Sequence, residues 1–573
     1  MMFYSHMDDL HHHVFILEGL KKLHVNSLKI INFKKFRDEN FDFNTDVNIF
    51  VGDNNAGKST ILEALEIVLN YNYRGRPFGG EFSPDLFNRK AVDQFLESDK
   101  SSKHLPKLVI EAYIDGVPDY RGANNSLETD AQGIVVQACF DASLEDVYES
   151  YRLTKPITSI PIEFYKIEWL DFAWNLIKPV AKKFKALYID PTRIHPTMGK
   201  NQYISSILNT TLAKEELVKL TLNYRENLQV FNGSGEVKAV NSNLDAENLI
   251  TDGKLTIAAS TLPAGSIQTG LQLEVDDVPF HLIGKGEQSK IQIKLAIQNR
   301  SHDIDLVMME EPENHLSHTN LNKLVHYIET QRANKQLFLT THSSYVLNKL
   351  SIDKICLLQS AYKRLHTLDA TVVKTLKRLP GYDTLRVALS RKVILVEGPS
   401  DELVLKKIYQ LKHNRLPEQD GIDIVVVRGV GFRTFIEVGK EIGTKIHVLR
   451  DNDGDYAANV EQGRMEYAAF TNIELFSSEN NDEFSLEPAM IYANASDIET
   501  LNNFAKIVLS SQTFNKYSEL KKLEERREYL IEWFKSETGN GKGARKVDSA
   551  IRLFDSAVEF KYPPFLDEVL NFA

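Results

Sequence analysis

The stretch Val47–Leu69 constrains the fold of this chain more than any other. It runs from an apolar strand into Gly52-Asp53-Asn54-Asn55-Ala56-Gly57-Lys58-Ser59 and then into apolar residues at helical spacing. Strand, glycine loop and helix in this order form the context that a phosphate-binding loop requires. Backbone N–H groups and the helix N-terminus would face the phosphates, with Lys58 neutralising their charge and Ser59 ligating magnesium. The alternative is a plain glycine turn. The residues predicted to contact a nucleotide here are Asn54, Asn55, Gly57, Lys58, Ser59 and Thr60.

Length and composition limit the classes of protein that fit. At 573 residues the chain is too long for one core, so two to four domains are expected. No apolar run approaches the roughly 18 residues of a membrane helix. Cys139 and Cys356 are the only cysteines, which excludes a disulfide framework and a cysteine zinc site. The polar first 24 residues lack a signal peptide, so we expect a cytoplasmic protein. The net charge of −11 argues against a general nucleic-acid coat but allows a local basic groove.

A second apolar strand, Leu306–Met309, ends in the acidic run Glu310-Glu311-Pro312-Glu313. A hydrolytic phosphate site needs one carboxylate to hold magnesium and another to orient the attacking water. Because adjacent residues at a strand end point in opposite directions, Glu310 and Glu311 can divide these roles. A third strand, Leu337–Leu339, is followed by His342, which could sense the γ-phosphate. Without the phosphate loop, an acidic turn and a structural histidine would explain these residues.

The rest of the N-terminal half predicts further strands and an insertion. Residues 71–105 are rich in Gly, Pro and Ser and predict a loop excursion, and residues 200–250 predict an inserted helical arm for dimer contact. The strands at 108–114 and 134–140 are expected to pair in an antiparallel sheet. The predicted strands are Val25–Phe36, Leu108–Ile114, Ile134–Phe140 and Leu187–Asp190.

A new unit begins near residue 391, where strands alternate with helices. Lys392–Val396 is predicted as a strand that delivers Glu397, with Ser400 or Asp401 capping the following helix. Two more strands follow, and the second leads into Asp451-Asn452-Asp453-Gly454-Asp455. Strands that alternate with helices form a parallel sheet, which places ligands at the carboxyl ends of its strands. The two further strands are Ile424–Val427 and Ile446–Leu449.

The acids at these strand ends predict a metal site. Clustered carboxylates repel one another, and magnesium or manganese, which prefer hard oxygen ligands, supply the compensating charge. The alternative is half of a calcium-binding EF-hand loop, but a strand precedes this loop and its twelfth position is Gln462 rather than glutamate. The predicted metal ligands are Glu397, Asp401, Asp451, Asp453 and Asp455.

Together the phosphate loop and the strands that end at Glu310 and before His342 resemble the ATP-binding-cassette ATPase heads of the RecF, Rad50 and SMC group. The resemblance implies that Glu310 is the Walker B acid and a magnesium ligand, that Glu311 is the catalytic glutamate, and that His342 is the switch histidine.

The segment Gly284–Ser289 is similar to the signature loop of such heads, although GKGEQS departs from the usual LSGGQ. By this likeness Gly286 and Gln288 contact nucleotide. Such heads bind nucleotide between two protomers, so a homodimer is implied, with a tetramer as the larger alternative.

Glu397, Asp401, the turn at 429–431 and the pair Asp451 and Asp453 resemble a Toprim domain. Joined to an ATPase head on one chain, they resemble the OLD (overcoming lysogenization defect) family of nucleases, of the Gabija anti-phage type.

This family resemblance implies a downstream glutamate and a basic residue. Glu487 matches the glutamate as a metal ligand, and Lys542 or Lys546 matches the basic residue, with Lys546 favoured. It also implies a helicase partner.

The predicted fold class is α/β: an ABC-type P-loop ATPase domain with an inserted helical dimerisation arm, followed by a Toprim parallel α/β domain. We expect an N-terminal extension over 1–24, the ATPase domain over 25–350 with its insertion at about 195–275, a linker over 351–390, and the Toprim domain with a helical C-terminal part over 391–573.

The leading hypothesis is an ATP-regulated, magnesium- or manganese-dependent DNA endonuclease in bacterial anti-phage defence. In it, catalysis rests on Glu397, Asp401, Asp451, Asp453 and a lysine, with ATP as the second cofactor and Glu311 for its hydrolysis. One rival is a Toprim RNA nuclease that cuts tRNA. Another is an ATP-dependent, RecF-like DNA-repair clamp without nuclease activity.

Overall fold

The computed structural model divides into two compact units. The first comprises Met1–Phe50 and Gly57–Thr341, and the second comprises Val51–Ala56 and His342–Ala573. Among the residues described, no helix is long and apolar enough to cross a membrane. The described residues are 23–178, 184, 186–190, 214–246, 256–259, 274–288, 290–291, 305–314, 316–331, 335–350, 352–359, 362–365, 368–378, 384–427, 431–535 and 542–572.

The first unit contains fourteen described strands and seven described helices. Its strands are β1 (His24–Phe33), β2 (Phe36–Asp42), β3 (Val47–Gly52), β4 (Asn72–Tyr73), β5 (Arg76–Pro77), β6 (Leu108–Asp115), β7 (Arg121–Gly122), β8 (Ala131–Phe140), β9 (Tyr165–Asp171), β10 (Ala186–Ile189), β11 (Glu274–Val275), β12 (Val278–Pro279), β13 (Leu306–Glu310) and β14 (Gln336–Thr340). Its helices are α1 (Lys58–Asn70), α2 (Phe78–Glu81), α3 (Arg89–Glu97), α4 (Glu145–Thr154), α5 (Lys214–Asn232), α6 (Gly235–Ala246) and α7 (His318–Gln331).

A parallel sheet carries the phosphate loop. Within the first unit its strand order is β10-β13-β14-β3, and Met309 pairs with Leu339, which pairs in turn with Ile49. Nearly every residue of β3, β13 and β14 is buried, as expected for parallel strands that are covered on both faces. The strands predicted around residues 47–51, 306–309 and 337–339 are confirmed, and so is the helix after the loop.

The second sheet of this unit is antiparallel, with the order β2-β1-β6-β8-β7 and β9 paired to β8. Ile110 of β6 lies opposite Ile30 of β1 and Val136 of β8, and all three are fully buried. The strands predicted at 108–114 and 134–140, and their antiparallel pairing, are confirmed. The strand predicted over Val25–Phe36 is instead divided, because the backbone turns at Lys34 with a φ of 50°.

The loop predicted over residues 71–105 is wrong in part, because the interval contains α2, α3 and the hairpin β4–β5. The side chain of Asn88 accepts a hydrogen bond from the N–H of Lys90 at 3.1 Å and so caps α3. Its amide also donates to the carbonyls of Lys34 and Lys35 at 2.8 and 2.9 Å. The glycines and prolines of this interval led to the prediction of a loop, although Asn88 alone caps the start of α3.

Helices were predicted between residues 200 and 250, and α5 and α6 confirm them for the described part, 214–246. Residues 200–213 and 247–250 lie outside the described residues. Several apolar side chains of these helices are exposed, including Val230 at 74% and Phe231 at 56%. Their use in dimer contact stays a prediction.

One buried side chain joins the two sheets of the first unit. Gln336, fully buried at the start of β14, accepts a hydrogen bond from the N–H of Val25 and donates to the carbonyls of Val25 and Asn44, each at 2.8 Å. Val25 lies in β1 of the antiparallel sheet. One amide therefore bonds the two buried backbone groups of Val25 and the half-buried carbonyl of Asn44, which Asn48 also contacts.

The second unit contains six described strands and twelve described helices. Its strands are β15 (Ile355–Leu358), β16 (Tyr362–Arg364), β17 (Lys392–Val396), β18 (Ile422–Val426), β19 (Lys445–Leu449) and β20 (Ile473–Phe476). Its helices are α8 (Ser344–Leu350), α9 (Ala370–Arg378), α10 (Thr384–Leu389), α11 (Pro399–His413), α12 (Phe432–Ile442), α13 (Gln462–Tyr467), α14 (Leu486–Asn494), α15 (Ile498–Val508), α16 (Ser511–Ser518), α17 (Leu523–Lys535), α18 (Lys542–Asp555) and α19 (Pro564–Leu570).

A four-stranded parallel sheet organises this unit, in the order β18-β17-β19-β20. The three strands predicted here, at 392–396, 424–427 and 446–449, are confirmed to within two residues. Helix α11 and helices α14 to α19 bury apolar side chains against one another and the sheet. This core includes Ile394, Ile408, Phe504, Leu530, Leu553 and Leu566.

The interval 351–390, predicted as a linker, contains β15, β16, α9 and α10 among its described residues. Arg386 and Ser390 both donate hydrogen bonds to the carboxylate of Asp423 in β18. The end of this interval is therefore attached to the parallel sheet of the second unit.

We expect Gln336→Leu to destabilise the chain by about 2–4 kcal/mol, because it removes the buried amide that bonds both backbone groups of Val25 and one of the two donors to the carbonyl of Asn44. Urea unfolding followed by circular dichroism measures this free energy. Gln94→Leu is the matched control, since Gln94 is exposed on α3 and should change stability by about 0.5 kcal/mol or less. Equal losses in the two variants would contradict this role for Gln336.

Candidate functional site

The phosphate loop is shaped by two glycines. Gly57 has a φ of 106°, a conformation that other residues rarely adopt, and a Cβ on it would lie 2.4 Å from the ring of Phe36. In the second unit, a Cβ on Gly52 would lie 2.2 Å from the carbonyl oxygen of Leu358. Gly52 is required because the backbone of Leu358 lies too close for a side chain. Gly57 is required because its backbone is left-handed and the ring of Phe36 fills the space.

The first turn of α1 meets the acid at the end of β13. Ser59 donates a hydrogen bond from Oγ to one carboxylate oxygen of Glu310, and the hydroxyl of Tyr188 donates to the other at 2.6 Å. Lys58 and Thr60 are buried, at 7% and 8% exposure. The two predicted magnesium ligands, Ser59 and Glu310, are thus in contact.

Tyr188 was not predicted from sequence. It lies in β10, which pairs with β13, so the sheet brings its hydroxyl to the carboxyl edge beside Glu310. A tyrosine near the end of a strand was the available signal. Only the strand order shows that it faces this acid.

Glu311 is oriented by a turn rather than by strand alternation. β13 ends at Glu310, and Glu311 has a left-handed backbone with a φ of 42°. Its N–H donates to the carbonyl of Thr340, and its carboxylate accepts from the amide of Asn314 at 2.6 Å. The argument from alternating strand residues was therefore wrong, although the two carboxylates do have separate partners.

The remaining predicted nucleotide residues are placed as follows. Asn54 and Asn55 are exposed on the loop, and Asn55 has a φ of 64°. Gln288 is buried and donates to the carbonyl of Ile283 at 2.9 Å, within its own turn. Gly286 lies in the same short helical turn and His342 is exposed, whereas Ser289 lies outside the described residues. Their roles toward nucleotide stay predictions.

In the second unit, acids from two neighbouring strands meet. Glu397 follows β17, and its Oε1 accepts a hydrogen bond from the N–H of Asp451, after β19, at 3.3 Å. Asp401 accepts a hydrogen bond from the N–H of Gly398 at 2.9 Å. The cap of α11 is therefore Gly398, not Ser400 or Asp401 as predicted, and Asp401 contributes by binding the cap residue's N–H from the first turn.

Two residues distant in sequence complete this group. Lys546 of α18 forms an ion pair with Glu487 of α14 at 2.5 Å, and the hydroxyl of Ser485 donates to the same carboxylate oxygen at 3.1 Å. The other oxygen of Glu487 is buried without a hydrogen-bond partner among the described residues. Lys542 begins α18, and its side chain lies outside the described part, as do residues 428–430 and 541.

Burial and mutual repulsion alter the acidity of the cluster. Burial raises the pKa of Asp401 to about 7, and Glu487 adds to the rise. Burial raises the pKa of Asp451 to about 9, with contributions from Asp401, Glu397 and Glu487. Burial raises the pKa of Glu397, and the charge of Asp453 adds to the rise. The hydrogen bond from the N–H of Asp451 lowers this pKa but does not cancel the rise. The carboxylates are therefore close enough to repel one another.

This repulsion has a consequence for stability. Because the folded pKa values of Asp401 and Asp451 exceed the ordinary value of 3.8, the folded chain holds protons that the unfolded chain releases. The contribution of these two acids to the free energy of unfolding therefore falls as pH rises, for Asp401 between about 4 and about 7 and for Asp451 between about 4 and about 9. Burial lowers the pKa of Lys546, but Glu487 and then Asp451 outweigh it and raise the pKa, so this lysine stays charged.

The loop after β19 is held by Asn452, which sequence reasoning missed. Asn452 is fully buried, and its amide donates to the carbonyls of Ser478 and Asn480 at 2.8 and 3.0 Å. Asp453 is exposed with a φ of 50°, so strand alternation does not orient it. The carboxylate of Asp455 accepts from the N–H of Ala458 at 3.1 Å and so caps its own turn.

The donor set fits a divalent cation in its chemistry. All the candidate ligands are hard carboxylate oxygens, and one oxygen of buried Glu487 has no hydrogen-bond partner among the described residues. Lys546, which pairs with Glu487, and Arg450, whose charge acts on Glu397, compensate only part of their charge. No three of the described His, Cys, Asp and Glu side chains converge tightly enough to ligate an ion as they stand. Side-chain rearrangement would therefore accompany binding, because unshielded carboxylates move apart.

Two domain families match this chain. Residues 47–348 match the AAA domain family whose description also names the AbiEii toxin and the Type IV TA system, and the chain belongs to this family. Residues 389–453 match the TOPRIM domain of overcoming lysogenization defect protein-like proteins. The chain is thus of the class that joins an ATPase domain to an OLD-like TOPRIM domain, the architecture of a nuclease with an ATPase domain.

Among individual proteins, the chain is 21% identical to endonuclease GajA of Bacillus cereus (strain VD045) over 500 residues, which cover 81% of this chain and 80% of that protein. It is 20% identical to an ATP/GTP phosphatase of Helicobacter pylori (strain ATCC 700392 / 26695) over 345 residues, covering 56% and 85%. These likenesses confirm the predicted resemblance to the OLD family and its Gabija type.

Similar solved structures include an SMC head bound to the C-winged helix domain of ScpA, at 15% identity, a TM-score of 0.31 and coverage of 56% of this chain and 90% of that one. RecF in an ATP-analogue complex of the RecFOR pathway matches at 12% identity and a TM-score of 0.31, covering 56% and 94%.

We expect Glu311→Gln to keep ATP bound while slowing hydrolysis about 100-fold or more, since the amide preserves shape but cannot accept the proton of an attacking water. Lys58→Ala is the matched comparison and should lose ATP binding itself, because it removes the charge that faces the phosphates. Filter binding of labelled ATP and phosphate release measure the two effects. Hydrolysis by Glu311→Gln at the wild-type rate would contradict the assignment.

Magnesium or manganese should raise the melting temperature more at pH 8 than at pH 6, because a cation replaces the protons of Asp401 and Asp451. At 100 times its Kd the cation adds about 2.7 kcal/mol, or about 5–10 °C for a domain of about 200 residues. Asp451→Asn should blunt this rise. Asp482→Asn, at an exposed acid nearby, should keep it, and an equal response in both variants would remove Asp451 from the metal site.

Proposed function

We propose that this chain is an ATP-binding, divalent-metal-dependent DNA endonuclease that cuts at the TOPRIM cluster under the control of its ATPase domain, in anti-phage defence. The observation that carries the proposal is the set of mutually repelling carboxylates at the carboxyl ends of β17 and β19, beside a half-buried lysine, Lys546. The fold leaves this charge in place although it costs stability, which is the mark of a site that a cation and a phosphate complete.

Glu397, Asp401, Asp451, Asp453 and Glu487 would hold the cation, which when bound acidifies water and stabilises charge on phosphate oxygens. Glu397 and Asp453 are exposed and meet the incoming backbone first, whereas Asp401 and Glu487 are buried. Because the exposed acids lie on one side of the site and the buried acids on the other, a nucleic-acid strand can approach only from the exposed side.

Lys546 has two tasks in this proposal. Its ion pair fixes the orientation of Glu487, and its retained positive charge can donate a hydrogen bond to a phosphate oxygen as negative charge develops there. Asn452 keeps Asp451 and Asp453 in a fixed turn, so the ligands need little ordering when the substrate binds.

In the ATPase domain, Ser59 and Glu310 would hold magnesium, and Glu311 would orient water, with Asn314 setting its carboxylate. The loop with Gly286 and Gln288, and His342, would complete the nucleotide site across a homodimer. A tetramer and a helicase partner extend the same proposal.

DNA is favoured over RNA by one likeness. A stretch of 43 residues is 42% identical to the DNA replication and repair protein RecF of Flavobacterium johnsoniae (strain UW101), which is 12% of that protein. Cleavage of tRNA instead of plasmid would replace the DNA proposal with its RNA rival.

We expect Asp453→Ala to lower plasmid nicking about 100-fold or more while ATP binding and circular dichroism stay unchanged, because a metal ligand contributes several kcal/mol. Asp453→Asn should behave alike and tolerates the left-handed backbone better than alanine. Asp482→Ala is the matched control at an exposed acid. EDTA should stop the wild type, and magnesium or manganese should restore it. Nicking by Asp453→Ala at the wild-type rate, or in excess EDTA, would move the active site elsewhere.

A further inference from the structure

A cavity of about 1020 Å³ lies within the second unit, at the carboxyl end of β20. Its size is at the upper limit for small-molecule sites. Its wall is unusually aromatic, and serines that directly follow β20 form part of the lining. The residues that define it are Ser477, Ser478, Tyr492, Phe560, Tyr562 and Phe565.

The position of this cavity relates it to the acidic cluster. β19 and β20 are parallel neighbours, with Leu449 opposite Phe476. The carboxyl ends of both strands therefore lie at the same edge of the sheet, about 4.8 Å apart, which is the spacing of neighbouring strands. The chain leaves β19 toward Asp451 and leaves β20 toward Ser477, so the cavity and the cluster are adjacent.

One loop serves both places. Residues 477–485 line the cavity at Ser478, and their backbone also receives the amide of Asn452 and, at Phe484, the N–H of Asp453 at 3.0 Å. The same loop leads directly to Glu487. A strand that occupies the cavity would therefore contact the scaffold of the acidic ligands.

The aromatic wall is held in place before any ligand arrives. Asn494, 1% exposed, accepts from the N–H of Lys561 and donates to its carbonyl, at 2.8 and 2.7 Å. This fixes Phe560 and Tyr562 on either side of Lys561. Tyr492 is supported by the guanidinium of Arg527 at 4.9 Å from the ring centre.

The charges around the cavity indicate which part of a nucleic acid it accepts. Glu479, Glu483 and Glu568 line it together with Arg464 and Lys561, so its carboxylates outnumber its cations. A phosphate inside would be repelled, whereas the N–H groups of a nucleobase can donate to carboxylates and its ring can stack on the aromatic wall.

We propose that this cavity is a subsite for an unpaired base of the nucleic-acid strand being cut, which stacks on the ring of Phe560 and contacts the edges of Tyr562 and Tyr492. The inference rests on the proposed nuclease function and adds a specificity to it. Cleavage is faster where a base near the scissile phosphate is mismatched, bulged or single-stranded, because such a base needs little unstacking to enter.

The test is a matched pair of variants, Phe560→Leu and Phe470→Leu. Both keep apolar volume and lose the flat ring, but Phe470 precedes β20 and so lies at the opposite edge of the same sheet. In an Asp453→Ala background, which keeps the strand intact, each is titrated against a single-stranded oligonucleotide that carries one 2-aminopurine. Phe560→Leu should weaken binding about tenfold and remove the quenching of 2-aminopurine, whereas Phe470→Leu should do neither.

Cleavage by the same pair in an otherwise wild-type chain gives the second readout. The preference for a bulged over a fully paired duplex should disappear in Phe560→Leu and persist in Phe470→Leu. If nucleic acid is bound and cut and the two variants are equal, this inference is overturned and the proposed function stands. If the wild type neither binds nor cuts nucleic acid, the proposed function fails and the subsite fails with it.

Discussion

Repulsion between carboxylates held at the edge of a parallel sheet is the constraint on which the second unit depends. Strands β17 and β19 bring Asp401 and Asp451 together. The two strands pair in parallel, and nearly all of their residues are buried from water. The fold fixes the acids first, and their charge must then be met by protons, Lys546 or a cation. Burial, and then repulsion by the neighbouring acids, raises the pKa values of Asp401 and Asp451.

The acid at a strand end in the ATPase domain has different hydrogen-bond partners. Glu310 also ends a parallel strand, but Ser59 and Tyr188 donate one hydrogen bond to each of its oxygens. Each carboxylate oxygen of Glu310 therefore has a hydroxyl donor of its own. The two sites thus use one architectural rule, an acid at the carboxyl end of a buried strand, with different partners around it.

Much of this could be predicted from sequence because the signals are local. Apolar runs of four to six residues mark β3, β13, β17 and β19, and the acids or glycines that follow them have to lie at the strand ends. The features that escaped depend on contacts distant in sequence or on turn geometry. Asn452 reaches carbonyls 26 and 28 residues away, Tyr188 meets an acid 122 residues away, and the left-handed turn at Glu311 replaces strand alternation. No periodicity encodes such contacts, and α3 was hidden because one asparagine cap outweighs the glycine and proline around it.

The alternation of acid and amide in Asp451-Asn452-Asp453 follows from these constraints. The middle side chain points into a fully buried position between two carbonyl oxygens, so it must donate twice and carry no charge. An aspartate there could not donate while ionised and would add a third repelling charge, whereas an apolar residue would leave both carbonyls unsatisfied. Asparagine alone meets both conditions without changing the size of the aspartate beside it. Asp451 can then be held among the repelling carboxylates, and Asp453 in a left-handed backbone, because the residue between them anchors the turn that carries both.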